Sequence, residues 1–139
     1  MPLCLDASAA LAALLPRHSS DAAERLVRDT VDVGDRFVVP PLLFAEATSV
    51  LRRYAHIGAI NRGEASGALQ DLFSLPIELV HGPEVYLCAL DLAHRLGHAK
   101  AHDVQYLAVA QMKDCTLLTL DSGLYESARS LSIAARLIE

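Results

Sequence analysis

The chain opens on the stretch MPLCLDASAALAALL, residues 1–15, which predicts a short strand followed directly by a helix. PLCL (2–5) has the apolar character of a strand, Asp6 follows it, and the run Ala7–Leu15 is apolar again. A carboxylate between two core-type segments costs free energy unless it is paired or lies at the edge of the core facing a site. Asp6 is therefore the first candidate functional residue.

The same alternation of strand and helix continues through the whole chain. Further strand-like runs, bounded by Pro, Gly or polar residues, are RFVV (36–39), IELV (77–80), TLLT (116–119) and ARLI (135–138). The helical stretches are residues 7–15, 19–31, 41–58, 61–75, 83–97, 102–114 and 122–131. Strands that alternate with helices form parallel sheets covered on both faces. We therefore predict an α/β fold, a three-layer α/β/α sandwich with a central parallel five-stranded sheet.

Size and composition fit a single domain over residues 1–139, since a chain of this length buries one core and no linker or repeat divides it. The hydrophobic fraction of 53% and the mean hydropathy of +0.30 predict an apolar face for a partner. The apolar run Ala7–Leu15 is too short to span a bilayer and follows no basic segment. We expect no membrane anchor and no signal peptide, and hence a cytoplasmic protein.

Acidic residues follow two of the predicted strands and begin a helix. In open parallel sheets, ligands bind beyond the C-terminal ends of the strands, near the point where the strand order reverses. Asp6 follows the first strand, Asp121 follows the fourth, and Asp103 opens the helix that contains VQYLAVAQ. Glu46 lies inside a helix and faces either solvent or a site. Taken singly, such an aspartate is more often only a helix N-cap, and such a glutamate a solvated surface residue.

Taken together, the four acids favour a metal site. Clustered carboxylates repel one another, and a divalent cation with oxygen ligands, Mg²⁺ or Mn²⁺, resolves that repulsion. Such a cation assists phosphodiester hydrolysis. We predict a catalytic metal site formed by Asp6, Glu46, Asp103 and Asp121. Asp6 and Asp103 are the preferred direct ligands, whereas Glu46 and Asp121 either ligate, bind through water or hold the attacking water.

Four ordered motifs extend the argument, namely CLDASAALAALL, VVPPLLFAEATSVLRR, AHDVQYLAVA and LLTLDSGL. In their order and spacing the chain resembles a PIN domain nearly end to end, specifically the short single-domain toxins of VapBC toxin–antitoxin modules. The resemblance implies the same four-acid metal site, with Thr119 as the neighbouring polar residue of a TxD element. It also implies ribonuclease activity on RNA, a homodimer and a VapB-type antitoxin partner.

The chain departs from the family pattern at two places. His102 stands where the family often has Tyr or Ser before the third acid. Ser122 and Gly123 stand where Lys or Arg often follows the fourth acid. Both departures bear on which RNA fits the site and leave the acids themselves in place.

Auxiliary residues surround the four acids. The hydroxyls of Ser8 and Thr119 are candidates to bind water or a substrate phosphate. The alternative for both is to satisfy backbone groups at their strand-to-helix turns, and for Ser8 the two interpretations are equally suited. Arg52, Arg53 and Lys100 are candidates for phosphate contact, with ordinary surface charge as the favoured alternative for Arg53 and Lys100. The net charge of −5 disfavours a nucleic-acid partner, but without the four acids the chain is nearly neutral.

Three alternatives remain beside the nuclease. His94, His98 and His102 recur at the spacing of zinc ligands, but Gly97 breaks that helix, which favours surface histidines. A receiver-like phosphoacceptor module requires an acidic pair after the first strand, where Asp6 stands alone, and a lysine at the end of the last strand. A catalytically silent PIN-like binding subunit does not require all four acids.

Overall fold

The computed structural model describes residues 1–15, 20–98 and 101–139, and these contain five strands and seven helices. The strands are β1 (Leu3–Leu5), β2 (Phe37–Val39), β3 (Ile77–Leu79), β4 (Thr116–Thr119) and β5 (Ala135–Leu137). The helices are α1 (Ala7–Leu14), α2 (Asp21–Asp32), α3 (Leu42–His56), α4 (Arg62–Phe73), α5 (Pro83–Leu96), α6 (Val104–Met112) and α7 (Ser122–Ser130). The predicted elements are confirmed to within one or two residues. Ser19, which begins the predicted second helix, lies outside the described residues.

Local sequence signals explain where several helices begin and end. Asn61 and Glu64 form a reciprocal capping box at the start of α4, in which each side chain accepts the backbone N–H of the other. Pro83 occupies the first turn of α5, where its missing N–H costs nothing. Gly97 ends α5 in the left-handed conformation, with φ of 70°. Among the described helices, none is both long and apolar enough to cross a membrane.

The five strands form one parallel sheet in the order β3-β2-β1-β4-β5. Leu3 of β1 pairs with Phe37 on one side and with Thr116 on the other. The chain moves outward from β1 to β3 in one direction and from β4 to β5 in the other, so the strand order reverses between β1 and β4. Residues that follow β1 and β4 therefore meet at the switch point of the sheet.

Both faces of the sheet are covered by helices. The usual right-handed crossovers place α1 to α4 on one face and α5 to α7 on the other. Residues Phe37–Val39 of the inner strand β2 are fully buried, as a strand covered on both faces requires. Helix α6 is buried along nearly its whole length, including Tyr106 and Leu107. The predicted three-layer sandwich is confirmed, and the C-terminal edge of its sheet is where the helices α1, α3, α6 and α7 converge.

Candidate active site

One cavity of about 160 Å³ at the C-terminal edge of the sheet is lined by all four predicted acids. Asp6 directly follows β1, and Asp121 follows β4 after one intervening residue. Glu46 enters the cavity from α3, and Asp103 enters it from the position before α6. The topology thus brings together four carboxylates from distant parts of the chain, at the place where an open parallel sheet binds its ligands.

The carboxylate of Asp6 is buried, with only 5% of the residue exposed, and accepts three hydrogen bonds. Oδ1 accepts the Ser8 hydroxyl at 2.6 Å and the Ala9 backbone N–H at 2.9 Å, and Oδ2 accepts the Thr119 hydroxyl at 2.5 Å. Burial raises the pKa of Asp6 above its ordinary value, and the negative charge of Asp121 adds to this, while the three hydrogen bonds oppose it. The ionised form of Asp6 is therefore held at a cost in free energy.

Two hydroxyl bridges connect Asp6 to the loop after β4. The Ser8 hydroxyl donates to Asp6 and accepts the backbone N–H of Leu120 at 3.0 Å. The Thr119 hydroxyl donates to the other oxygen of Asp6 and accepts the backbone N–H of Asp121 at 3.0 Å. The proton of each hydroxyl is used in the bond to Asp6, so neither hydroxyl donates to a substrate phosphate. Both hydroxyls fix Asp6 and accept a backbone N–H at the turn, as their alternative interpretation predicts.

The three aspartates differ in how far their helices use them. Asp6 and Asp121 are N-caps, since each accepts the N–H three residues on, from Ala9 at 2.9 Å and from Leu124 at 3.1 Å. Each of these two residues therefore both caps a helix and lines the cavity. Asp103 precedes α6 with a helical backbone, and its side chain makes no capping hydrogen bond. The helix therefore does not use the carboxylate of Asp103.

Glu46 is held by a residue that the sequence analysis missed. The phenol of Tyr106, which is 1% exposed, donates to Glu46 Oε1 at 2.5 Å and so links α6 to α3. Burial raises the pKa of Tyr106 far above its ordinary value, and the hydrogen bond to Glu46 contributes further. A signal was present, because Tyr106 lies three residues after Asp103, on the same helix face, and a buried phenol needs a partner.

We expect Tyr106→Phe to lower the free energy of unfolding by about 1–3 kcal/mol, because the change leaves one oxygen of the half-buried Glu46 carboxylate without its donor. Urea unfolding of the purified protein measures the change. Tyr86→Phe is the matched control, since Tyr86 is 52% exposed and its substitution should cost less than about 0.5 kcal/mol. Equal stability of the two variants would contradict this role for the phenol.

The donor set of the cavity fits a hard divalent cation. Within residues 1–15, 20–98 and 101–139, no three carboxylate, thiol or imidazole groups already stand close enough to enclose a metal ion. Mg²⁺ does not require such a cage, because it keeps several waters and binds through one or two carboxylates. The cavity offers carboxylate oxygens, and that of Asp103 is not used by its helix.

The basic candidates are separated by the geometry of α3. Arg53 follows Glu46 by seven residues, about two helical turns, and so lies on the same face of the helix. Arg52 is rotated away and lines a different cavity of about 500 Å³ between α3 and α4. The structure does not bring Arg52 to the four acids, contrary to the sequence prediction, because one residue turns a helix by about 100°. Lys100 lies outside the described residues.

Comparisons with known proteins agree with this fold. The model of the PIN domain family matches residues 3–130. Ribonuclease VapC3 of Pyrobaculum aerophilum is 33% identical over 133 residues, which cover 94% of this chain and 98% of that protein. Ribonuclease VapC9 of Mycobacterium tuberculosis is 29% identical over 128 residues, which cover 92% of each chain.

Solved structures show the same fold at low sequence identity. VapBC2 from Rickettsia felis, bound to a DNA fragment from its promoter, has a TM-score of 0.71 at 13% identity and full coverage of both chains. VapBC-1 from nontypeable Haemophilus influenzae has a TM-score of 0.63 at 14% identity, covering 99% of this chain and 98% of that one. The family match and the relatives together confirm the resemblance: the chain belongs to the PIN domain family, among its VapC members.

Proposed function

We propose that this protein is a single PIN domain over residues 1–139 that acts as a Mg²⁺- or Mn²⁺-dependent endoribonuclease, the toxin of a type II toxin–antitoxin module. The observation that carries the proposal is the shared cavity of Asp6, Glu46, Asp103 and Asp121 at the switch point of the sheet. The relatives named ribonucleases VapC3 and VapC9 support RNA as the substrate. An RNA substrate makes the cytoplasm the expected compartment.

The divalent cation would be held by Asp6 and Asp103, with Glu46 and Asp121 as further ligands or as partners of its waters. When bound, it supplies positive charge that stabilises the phosphoryl oxygens and lowers the pKa of a nearby water. The protein's own groups orient the ligands: Ser8 and Thr119 fix Asp6. The Tyr106 phenol fixes Glu46. Burial of the Asp6 carboxylate strengthens its attraction to a cation.

The overall charge of −5 is compatible with an RNA substrate. Four of the negative charges belong to the cavity, and a bound divalent cation reverses the local sign there. The remaining residues are nearly neutral, so RNA binding depends on the cation and a small number of basic side chains. We therefore expect affinity that falls with salt only as steeply as a few phosphate contacts require.

A VapB-type antitoxin is the proposed partner, and the cavity between α3 and α4 is its proposed binding site. The cavity measures about 500 Å³, and its lining is Thr48, Leu51, Arg52, Ala55, Arg62, Ala65, Ser66 and Leu69. This surface is apolar with two arginines and no acid, which suits a peptide segment carrying both apolar and acidic side chains. Solved neighbours are VapBC complexes, which supports such a partner. An antitoxin bound in this cavity would extend a basic side chain toward the four acids.

A homodimer is proposed on the exposed face of α5. Tyr86, Leu87 and Leu90 are 52%, 67% and 51% exposed and lie within about one helical turn of each other. Contiguous apolar side chains at a surface mark interaction sites. We propose that a second copy of this chain packs against this face in the homodimer.

The proposed activity is tested by incubating the purified protein with single-stranded RNA and Mg²⁺ or Mn²⁺. We expect cleavage within the strand, abolished by EDTA and restored by added cation, because the four carboxylates require a cation to act on a phosphodiester. Cleavage that survives chelation would contradict the metal-dependent mechanism. No cleavage of any RNA by a protein that binds its antitoxin would favour the silent binding subunit.

A further inference from the structure

A second cavity, of about 300 Å³, opens beside the four acids. Its lining is Ala7, Ser8, Leu11 and Ala12 of α1, Val50, Arg53 and Tyr54 of α3, and Leu120 after β4. Ala7, Ser8 and Val50 also line the acidic cavity, so the two cavities are contiguous. The second cavity is therefore the immediate neighbour of any ligand at the acids.

The chemistry of the second cavity is opposite to that of the first. No acid lines it, its walls are mostly apolar, and its cation is the exposed guanidinium of Arg53. Glu46 and Arg53 lie on one face of α3, two turns apart, with Val50 between them. One helix face thus presents a carboxylate for the metal, an apolar side chain and a cation in sequence along its axis.

A polynucleotide strand combines the groups that this surface recognises. A guanidinium pairs well with a phosphate, and apolar and aromatic side chains accept the face of a base with little regard to sequence. Leu120, which is 38% exposed, and the half-buried Tyr54 supply such side chains at the two sides of the cavity. Since the cavity adjoins the acids, its phosphate is the one next to the phosphate that is cleaved.

We propose that this second cavity is a nucleotide subsite, in which Arg53 binds the phosphate adjacent to the cleaved one and the base lies against Leu120 and Tyr54. The proposal rests on the ribonuclease function and specifies where its substrate continues. The occupant of the second cavity is single-stranded RNA, while the larger cavity between α3 and α4 remains the proposed binding site of the antitoxin. In this proposal Arg53 binds substrate, whereas the sequence alone favours ordinary surface charge at this position.

The chain offers a matched control for Arg53→Gln in Arg28→Gln. Both arginines are exposed and each lies in a helix, so each substitution removes one positive charge from a helix surface. Arg53 lines the proposed subsite, whereas Arg28 lies in α2 and lines neither the acidic cavity, the subsite nor the cavity between α3 and α4. Melting temperatures of both variants should equal that of the wild type, because neither side chain is buried.

Two measurements use single-stranded RNA as the probe. In steady-state cleavage with Mg²⁺, Arg53→Gln should raise KM about tenfold with little change in kcat, and Arg28→Gln should change neither. In binding to a fluorescent RNA, carried out in an Asp103→Asn background, Arg53→Gln should flatten the plot of log affinity against log salt by about 0.7, the value for one phosphate contact. Arg53→Lys should restore most of that slope.

Each other outcome has a defined meaning. Equal KM values and equal salt slopes for Arg53→Gln and Arg28→Gln would overturn the subsite. Unchanged RNA binding with weakened inhibition by the antitoxin in Arg53→Gln would also overturn it and give the cavity to the antitoxin. Salt-dependent RNA binding that requires Arg53, in a wild-type protein that cleaves no RNA, would support the subsite and contradict the ribonuclease function.

Discussion

Replacing Asp103 by asparagine should lower kcat/KM for RNA cleavage by about 10³-fold while leaving the fold intact. The loss is expected because an amide of the same shape removes a negative charge at the place where the proposed cation would be held, and electrostatic groups of this kind contribute factors of about 10²–10³. Stability should be spared, since the Asp103 side chain makes no capping hydrogen bond to α6. Cleavage assays at saturating Mg²⁺, with circular dichroism of each variant, measure both effects.

Asp71→Asn serves as the control for this experiment, because Asp71 is exposed on α4 and lines none of the cavities at the sheet edge. It should cleave RNA at the wild-type rate. If Asp103→Asn retains activity within about threefold of the wild type while folding normally, Asp103 does not contribute to the site.

Binding of Mg²⁺ should raise the melting temperature of the wild-type protein at pH 7, because the cation compensates the buried charge of Asp6. At about ten times its dissociation constant, the ion should stabilise the fold by about 1.4 kcal/mol, equivalent to a few degrees in a domain of this size. Asp6→Asn should lose most of this response. Thermal melting with Mg²⁺ and with EDTA measures it, and an unchanged wild-type midpoint would contradict metal binding at Asp6.

The stability of the metal-free protein should also depend on pH through Asp6. The folded-state pKa of Asp6 is raised above its ordinary value of 3.8, so folding takes up a proton at this group. Its stabilising contribution is fully present below that value and is lost as the pH rises through the folded-state pKa. In EDTA, Asp6→Asn should therefore melt higher relative to the wild type at pH 7 than at pH 3, and a difference of opposite sign would contradict the raised pKa.

Repulsion among the four acids is not the main cause of the raised pKa, because burial of Asp6 raises it more than the charge of Asp121 does. Burial could not be read from the local sequence, since Asp6 is covered by elements that arrive much later in the chain. The hydroxyl of Thr119, a residue of β4, is one of its buried partners.

The strands, the helices and the three aspartates at their ends were predictable from local pattern. Apolar runs, periodicity or end residues such as Pro, Asn and Gly mark most of the elements, and the rule for parallel sheets places Asp6 and Asp121 at one edge. Helix geometry would also have distinguished Arg53 from Arg52. Arg53 lies seven residues after Glu46, which is nearly two whole turns, whereas Arg52 lies six residues after it. That step needed only the assumption that Glu46 faces the site.

The Tyr106–Glu46 hydrogen bond was not predictable in the same way. It joins α3 to α6 across 60 residues of chain, and its existence depends on how two helices on different faces of the sheet pack at one edge. Sequence periodicity gives the face of each helix separately and does not give their rotation against each other. The hydroxyl bridges of Ser8 and Thr119 likewise require the neighbouring positions of β1 and β4.

The pairing of β1 with β4 also determines when, during synthesis and folding, the four acids come together. Thr119 is 113 residues from Asp6, so their contact closes one of the longest loops in the chain. Contacts of such separation form slowly, because the entropy of loop closure is lost before any bond forms. A nascent chain that has passed Asp103 already carries three of the four acids, yet it lacks the strand that holds Asp6 in place. The candidate site is therefore complete only after β4 has inserted beside β1.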